Sequence, residues 1–349
     1  MGTTATEVAV VGAGITGLSA AYALQRRGVE FVCFEAAAPG SGQSAGRTRV
    51  FRHGHDDEEL VRLAIRARAV WERLEAEFGA RLLGREGVLV CGPNVAERAA
   101  AFEATGVPAR LVGREDQSAA LPVFRPTEDE ALLDELGGSI HVRAAIDGLA
   151  ASLGDRLVAA RVFGVREHAS GVELHTSEGV WAAERAVLCA GAQQHELTAG
   201  LGLDIPLTID LHTRAAFPVR EPGARLACLQ DRSNVHGEIV YAAPMPDGRH
   251  YAIGLGGEEE PSVDDALTRL RAYVQRGMPG LDSEPASVRL CQTSGLPWGS
   301  DAFAVWQAGN IDVLAGANLF KFGPLIGELL ADGADELRSL APAAGPTRT

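Results

Sequence analysis

The chain has 349 residues, a length that suits about two domains or one large two-part fold with a sizeable core. Hydrophobic residues make up 46% and charged residues 22%, near globular averages, while 41 glycines exceed the usual ~7%, the balance of a soluble, loop-rich α/β enzyme. With 32 basic against 46 acidic residues the formal charge is −14, which repels phosphate backbones and anionic lipid and excludes nucleic acid and membrane surfaces as expected partners.

The chain opens as strand, turn, helix, strand: residues 7–11 are a buried β run, 15–27 have helical spacing, and 31–35 are a second β run. Residues 8–25 hold no charge and match a short membrane span in length, but three glycines interrupt them and Glu7 is the only charge before them. Neither a signal peptide nor an anchor is expected. Residues 56–78 read as a long amphipathic helix with Asp56, Asp57, Glu58 and Glu59 in its first turn, where negative charge suits a helix N-terminus. Helices are also expected near 95–105 and 144–153, with β-like pieces at 87–91 and through 161–190. Residues 206–257 alternate as antiparallel strands do, at 212–219, 238–243 and 250–255. A helix at 261–277, strands at 287–292 and 311–315, and a helix at 324–331 follow; the tail 341–349 reads as disordered.

The five cysteines have no CxxC spacing and an odd count, so no disulfide framework or zinc site is expected, and a reducing cytoplasm is the default location. His53-Gly-His55-Asp56 has the types of metal ligands but no further His or Cys cluster nearby, and reads as a solvated helix entry; no metal is expected. Gly42-Gln-Ser44-Ala-Gly46 matches a nucleophile elbow in letters. A hydrolase needs a strand directly before that serine and a helix directly after it, and here a Pro-Gly-Ser-Gly loop precedes and an Arg-rich β-like run follows.

Gly12-Ala-Gly14-Ile-Thr-Gly17 lies between a strand and a helix, and Glu35 ends the next strand eighteen residues on. Gly12 permits the tight turn, Gly14 lets the backbone approach a pyrophosphate, Gly17 lets helix meet strand, and Glu35 can accept from a ribose diol. These residues do not distinguish FAD from NAD.

The sequence resembles the FAD-dependent amino-acid and amine oxidoreductases of the D-amino-acid oxidase family, nearest to monomeric sarcosine oxidase. The resemblance covers most of the chain. It rests on the glycine fingerprint with Glu35, Gly46-x-Thr48-Arg49-x-x-Arg52-His53, Glu86-Gly-Val-Leu-Val-x-Gly92-Pro93, Cys189-Ala-Gly-Ala192, the strand bearing Cys291, and Ala315-Gly316 leading to Phe320-Lys321-Phe322. It selects FAD over NAD. It implies a Rossmann-like FAD-binding domain (1–84, 139–200, 302–349) interleaved with a substrate domain (85–138, 201–301) built on a mainly antiparallel sheet, with the flavin between them.

The resemblance further implies cofactor contacts at Ser44, Val162, Gly191, Gly316 and Phe320, with Arg49 near the flavin. Arg52 and Lys321 become binders of a substrate carboxylate, Tyr241 a substrate-side tyrosine, and Cys291 the site of a thioether to the flavin. Against these stand plainer readings: Arg52 pairing with Asp56 or Glu59, Lys321 exposed before a helix, Tyr241 packing, Cys291 a buried strand cysteine. In two places the chain departs from its relatives. Ala252 stands where they carry a lysine above the flavin, with His250 or Arg249 as substitute cations, and Ala317-Asn318-Leu319 replaces a longer Ser-Gly-His-Gly type turn.

The implied reaction is oxidation of a C–N bond in a carboxylate-bearing amine, an amino acid or an N-alkyl or cyclic amino acid, to an imine by hydride transfer to flavin N5. Oxygen or another acceptor takes the electrons, and a biosynthetic tailoring pathway suits the departures. The alternatives are an NAD-linked dehydrogenase and a flavin-binding protein with a non-oxidase role.

Overall fold

Val8, Ala9, Val10 and Val11 are all buried in the strand Thr4–Val11, as a central parallel strand covered on both faces requires. This strand pairs in parallel with Phe31–Glu35 on one side and Gly179–Leu188 on the other, with Val10 opposite Cys33 and Val187. Leu157–Ala159 and Ile311–Gly316 extend the parallel row at its two ends, and Phe303–Ala308 closes one edge antiparallel. The helix Ile15–Arg27 joins the first two strands and stops at Gly28, whose φ of 72° lets its N–H close on the carbonyls of Leu24 and Gln25. A Cβ at Gly327 would lie 2.4 Å from Ser19 Cβ, so glycine is what lets the helix Gly323–Ala331 approach this first helix. The charge-free run 8–25 is thus a strand, a turn and a buried helix. Among the described residues no helix is long and apolar enough to cross a membrane.

The structure is a computed structural model that describes residues 4–55, 58–256, 262–299 and 301–340. The expectations for Asp56, Asp57, Pro261 and the tail 341–349 lie outside these residues. The protein is a mixed α/β fold in two compact units, one of residues 1–45, 145–210 and 292–349, the other of 46–144 and 211–291.

The second unit carries its own sheet, where the expected mainly antiparallel arrangement is replaced by a mixed one. Val88–Cys91 and Cys228–Asp231 pair in parallel, with Cys228 opposite Val88, because the long connection between them imposes no hairpin sense. Thr208–Pro218, His250–Leu255 and Val240–Pro244 pair antiparallel in that order. Tyr251, Ile253 and Leu255 turn into a core with Phe217 and with Leu270 and Tyr273 of the helix Val263–Gly277, whose N-terminus is capped by Ser262 Oγ. The alternation leaves His250, Ala252 and Gly254 on the opposite face.

Residues 46–84, expected with the first unit, belong to the second. Val61 of the helix Glu58–Phe78 packs with Val88, Val90, Phe102 and Ala243, so burying its apolar stripe ties this helix to the second sheet. The chain changes units inside the strands Thr208–Pro218 and Ser287–Gly295, which is why no linker shows in the composition. Thr48–Phe51 is the strand read as a β-like run after Ser44, whereas Ala109–Val112, Ala131–Asp134 and Gly138–His141 are strands that the sequence does not announce, since four residues hold too few alternations to register.

Candidate active site

In the first unit the glycine turn has the shape its spacing demands. Gly12 has φ +98°, and a Cβ there would lie 2.6 Å from the Cys189 carbonyl oxygen; one on Gly17 would lie 1.9 Å from that of Gly12. Gly14 differs, with an ordinary φ of −74°. A Cβ there would meet only Ser44 Oγ, at 3.2 Å, so the space over the helix N-terminus is open to a phosphate group. Glu35 accepts the Ala13 N–H at 2.7 Å and the Ala37 N–H at 2.9 Å, which orients the carboxylate and leaves lone pairs on both oxygens for a ribose diol. The Glu35 carbonyl accepts from Ala160 at 2.9 Å, two residues before the buried Val162. These residues fit an ADP moiety.

Ser44 is buried and its hydroxyl accepts the Ile15 N–H at 2.9 Å, filling one of the unsatisfied donors at the helix start. No strand precedes it and no helix follows, so the elbow geometry is absent and Ser44 is not a nucleophile. Beside it Gln43 donates to Ser294 Oγ at 2.8 Å, Ser294 donates to the Gly316 carbonyl at 2.7 Å, and the Gln43 amide closes over Gly191. Gln43 and Gly316 are thereby joined through Ser294, with Gly191 beside Gln43, although the four are far apart in sequence. Phe320 is buried in the short turn of helix Leu319–Lys321. Lys321 is not the exposed lysine of the plainer reading: it is 5% exposed, its Nζ lies 2.9 Å from Asp301 Oδ1, and it sits over the Phe322 ring.

In the second unit the two-stranded pair Thr48–Phe51 and Gly138–His141 carries Arg49. Arg49 Nη1 donates to the Thr48 carbonyl at 2.9 Å, and Arg214 Nη1 donates to the same oxygen at 3.1 Å. Burial, and then the Arg214 charge, lower the Arg49 guanidinium to about 10. Arg214, Gly254 and Tyr241 stand in register across three strands, and the Arg214 guanidinium lies 5.2 Å from the centre of the Tyr241 ring. A Cβ on Gly254 would come within 2.5 Å of Tyr241 Cζ, so glycine there lets the Tyr241 ring lie across the strand. The next row along the same face is three alanines, Ala216, Ala252 and Ala243.

His250 lies one row further, where its Nδ1 is 3.2 Å from Asp247 Oδ2, and Asp247 also pairs with Arg47 at 3.2 Å. Its positive charge, when present, is therefore offset by Asp247. Arg52 donates through Nη1 to the Gly54 carbonyl. His53 is 1% exposed with Nδ1 3.1 Å from Asp134 Oδ1, a buried structural pair and not the solvated helix entry expected. Among the described residues no group of three His, Cys, Asp or Glu is placed to hold a metal ion.

Four of the five cysteines are buried and burial raises their thiols, Cys189 to about 12; Cys291 is the half-exposed one and lies beside Arg49. Arg214 is the residue that sequence reasoning missed. Its signal was an arginine inside the alternating run His212-Thr-Arg214-Ala-Ala-Phe217, where a buried charge needs a reason.

Residues 7–333 match the model of the family described as FAD dependent oxidoreductase. The chain belongs to this family. FAD is its cofactor, and it is an oxidoreductase. The sequence is 26% identical over 367 residues to monomeric sarcosine oxidase from Arthrobacter sp. (strain TE1826), covering 93% of this chain and 91% of that protein. The fold is similar to that of NikD, an unusual amino acid oxidase essential for nikkomycin biosynthesis (TM-score 0.86, 22% identity, 99% of this chain and 100% of that one). It is also similar to that of L-proline dehydrogenase from P. horikoshii (TM-score 0.84, 20% identity, 96% and 94%).

Proposed function

We propose that the protein oxidises a small amino acid, or an N-alkyl or cyclic amino acid, to the corresponding imine. The observation that carries this reading is the positive charge gathered in the second unit, where the Arg49 and Arg214 guanidinium groups meet at the Thr48 carbonyl and Arg214 lies over the Tyr241 ring. A carboxylate suits such a charge. The relatives named above, an oxidase of sarcosine, an amino acid oxidase and a proline dehydrogenase, act on substrates of this class by their names.

In this reading the first unit holds FAD through Gly12, Gly14, Gly17 and Glu35, aided by Ser44, Val162, Gly191, Gly316 and Phe320. FAD supplies the two-electron acceptor, at N5, for the hydride that leaves the carbon next to nitrogen. The protein's own residues orient the substrate: Arg52 and Lys321 draw on its carboxylate, and Tyr241 bounds it. The amine enters neutral, so that its lone pair is free to close the C=N bond. Cys291 is the thiol exposed enough to carry a covalent flavin. Five free cysteines suit a reducing cytoplasm. The likeness to NikD supports a tailoring role in biosynthesis, with oxygen or another acceptor taking the electrons.

The test is the visible spectrum of the purified protein followed by anaerobic titration with a panel of amino acids. Flavin absorbance that bleaches with one of them is the expected result. A colourless protein that uses NAD, or a yellow one that no amino acid bleaches, removes this reading.

A further inference from the structure

In the first unit the parallel strands Phe31–Glu35, Thr4–Val11, Gly179–Leu188 and Ile311–Gly316 stand side by side in that order, so their carboxyl ends form one row. A ligand of such a sheet lies in the crevice beyond those ends. Glu35 and Gly14 mark where the adenosine ribose and the pyrophosphate fit. Further along the row come Gly191, just past Leu188, and Gly316. Gln43 reaches both, lying directly against Gly191 and joined to Gly316 through Ser294.

Chemistry fixes the direction of this link. The Gly316 carbonyl can only accept, so Ser294 Oγ donates to it at 2.7 Å; with its one proton used, Ser294 accepts from Gln43, 2.8 Å away. The Gln43 amide nitrogen therefore faces Ser294 and its carbonyl oxygen faces the other way, over Gly191, where a Cβ would lie 2.8 Å from it. Ser294 is buried, whereas Gln43 and Gly191 are half-buried, so the link is dry at one end and open to the crevice at the other. An amide oxygen accepts only; it does nothing for an ionised pyrophosphate and suits a hydroxyl donor. In FAD the group that follows the pyrophosphate is the ribityl chain, a flexible run of hydroxyls that must be ordered before the ring can face a substrate. We propose that Gln43, held by Ser294, accepts a hydrogen bond from a ribityl hydroxyl of FAD and so sets the orientation of the flavin ring. The proposal rests on the placement of FAD at Gly12, Gly14, Gly17 and Glu35 in the oxidation reading.

ADP carries the adenosine and pyrophosphate of FAD without the ribityl chain and ring, so the pair separates this contact from the rest of the site. Both are titrated calorimetrically into full-length protein stripped of flavin, with Cys291→Ser present throughout so that FAD binds reversibly. This parent protein binds both. Gln43→Met removes the oxygen and weakens FAD about fivefold to tenfold while ADP affinity is unchanged. At saturating FAD its visible circular dichroism differs from the parent's, because the ring is no longer held in one orientation. Among FAD analogues that each lack one ribityl hydroxyl, one binds the parent as weakly as FAD binds Gln43→Met, and the variant does not distinguish it from FAD. Ser294→Ala lets the amide flip and weakens FAD in the same sense but less; it decides the matter where the Gln43 variant does not fold. Equal losses of FAD and ADP, no loss of either, an unchanged dichroism, or a parent indifferent to every missing hydroxyl overturns the proposal. ADP that fails to bind the parent removes the placement of the dinucleotide, and this contact with it. Bleaching by amino acids is scored separately: Gln43-dependent FAD binding without bleaching removes the oxidation reading and leaves the contact standing.

Discussion

The guanidinium groups of Arg49 and Arg214 converge on one acceptor, the Thr48 carbonyl oxygen, from which their Nη1 atoms lie 2.9 and 3.1 Å. A carbonyl has two lone pairs, so both hydrogen bonds are satisfied while the charges remain opposed. Burial and this repulsion together lower Arg49 to about 10. A bound carboxylate favours the charged form and moves the titration upward. Anion affinity should therefore be level below that value and fall as the pH rises through it. Titration of the Arg49 guanidinium carbon by NMR, with and without propionate, checks both the value and the sign.

Two glycines of the dinucleotide turn should respond differently to alanine. Gly17→Ala forces a Cβ to 1.9 Å from the Gly12 carbonyl oxygen and should lower both the melting temperature and FAD occupancy. Gly14→Ala meets only Ser44 Oγ at 3.2 Å, with a φ that alanine accepts, so the fold should survive while FAD occupancy drops by about tenfold or more. Equal FAD content in Gly14→Ala and wild type would show that the cofactor does not approach there.

Cys291 should be the cysteine that a neutral alkylating agent modifies in native apoprotein, since burial raises the other four thiols and hides them. Peptide mapping of the labelled protein gives the site. In holoprotein the label should be blocked and the intact mass should rise by one FAD; free flavin after denaturation would leave Cys291 unlinked.

The Lys321 and Asp301 pair is nearly enclosed, with side chains 6% and 11% exposed. Asp301→Asn strands a buried ammonium and should cost about 3 kcal/mol in urea unfolding. It should also free Lys321 for a carboxylate, so that propionate binds more tightly than to wild type. Lys321→Met should weaken the acid by about tenfold or more. Unchanged affinity in both variants would assign the pair to structure alone.

Ala252 stands between Ala216 and Ala243 in a row without charge, and His250 is offset by Asp247. A fixed cation stabilises the anion formed in the first electron step to oxygen far better than a methyl group does. Ala252→Lys should therefore speed reoxidation of the photoreduced enzyme by about tenfold or more in stopped flow. His250→Ala should leave the rate unchanged; a loss there would return the role to His250.

The glycine fingerprint, Glu35 and the long helices were legible because their signals are local. The strand Thr4–Val11 has consecutive buried residues, Gly12 and Gly17 are demanded by atoms within the same βαβ unit or beside it, and the stripe of Glu58–Phe78 repeats over many turns. The short strands Ala109–Val112, Ala131–Asp134 and Gly138–His141 and the parallel sense of Val88–Cys91 with Cys228–Asp231 were not, since each depends on a partner far along the chain.

The sequence by itself determined that a dinucleotide half exists, that its acid is Glu35, and that arginines follow it, because those facts rest on spacing within a few dozen residues. Only the tertiary structure decided what each charge faces. Lys321 reads as a carboxylate binder by resemblance, or more plainly as an exposed lysine, and is enclosed with Asp301; His53 reads as a helix entry and is buried against Asp134; Arg214 passes for one polar residue in a strand and becomes a buried guanidinium. The partners of these side chains lie from 20 to 166 residues away, and the cost of burying a charge, which is what gives such a residue its meaning, depends on those partners and not on its neighbours in sequence.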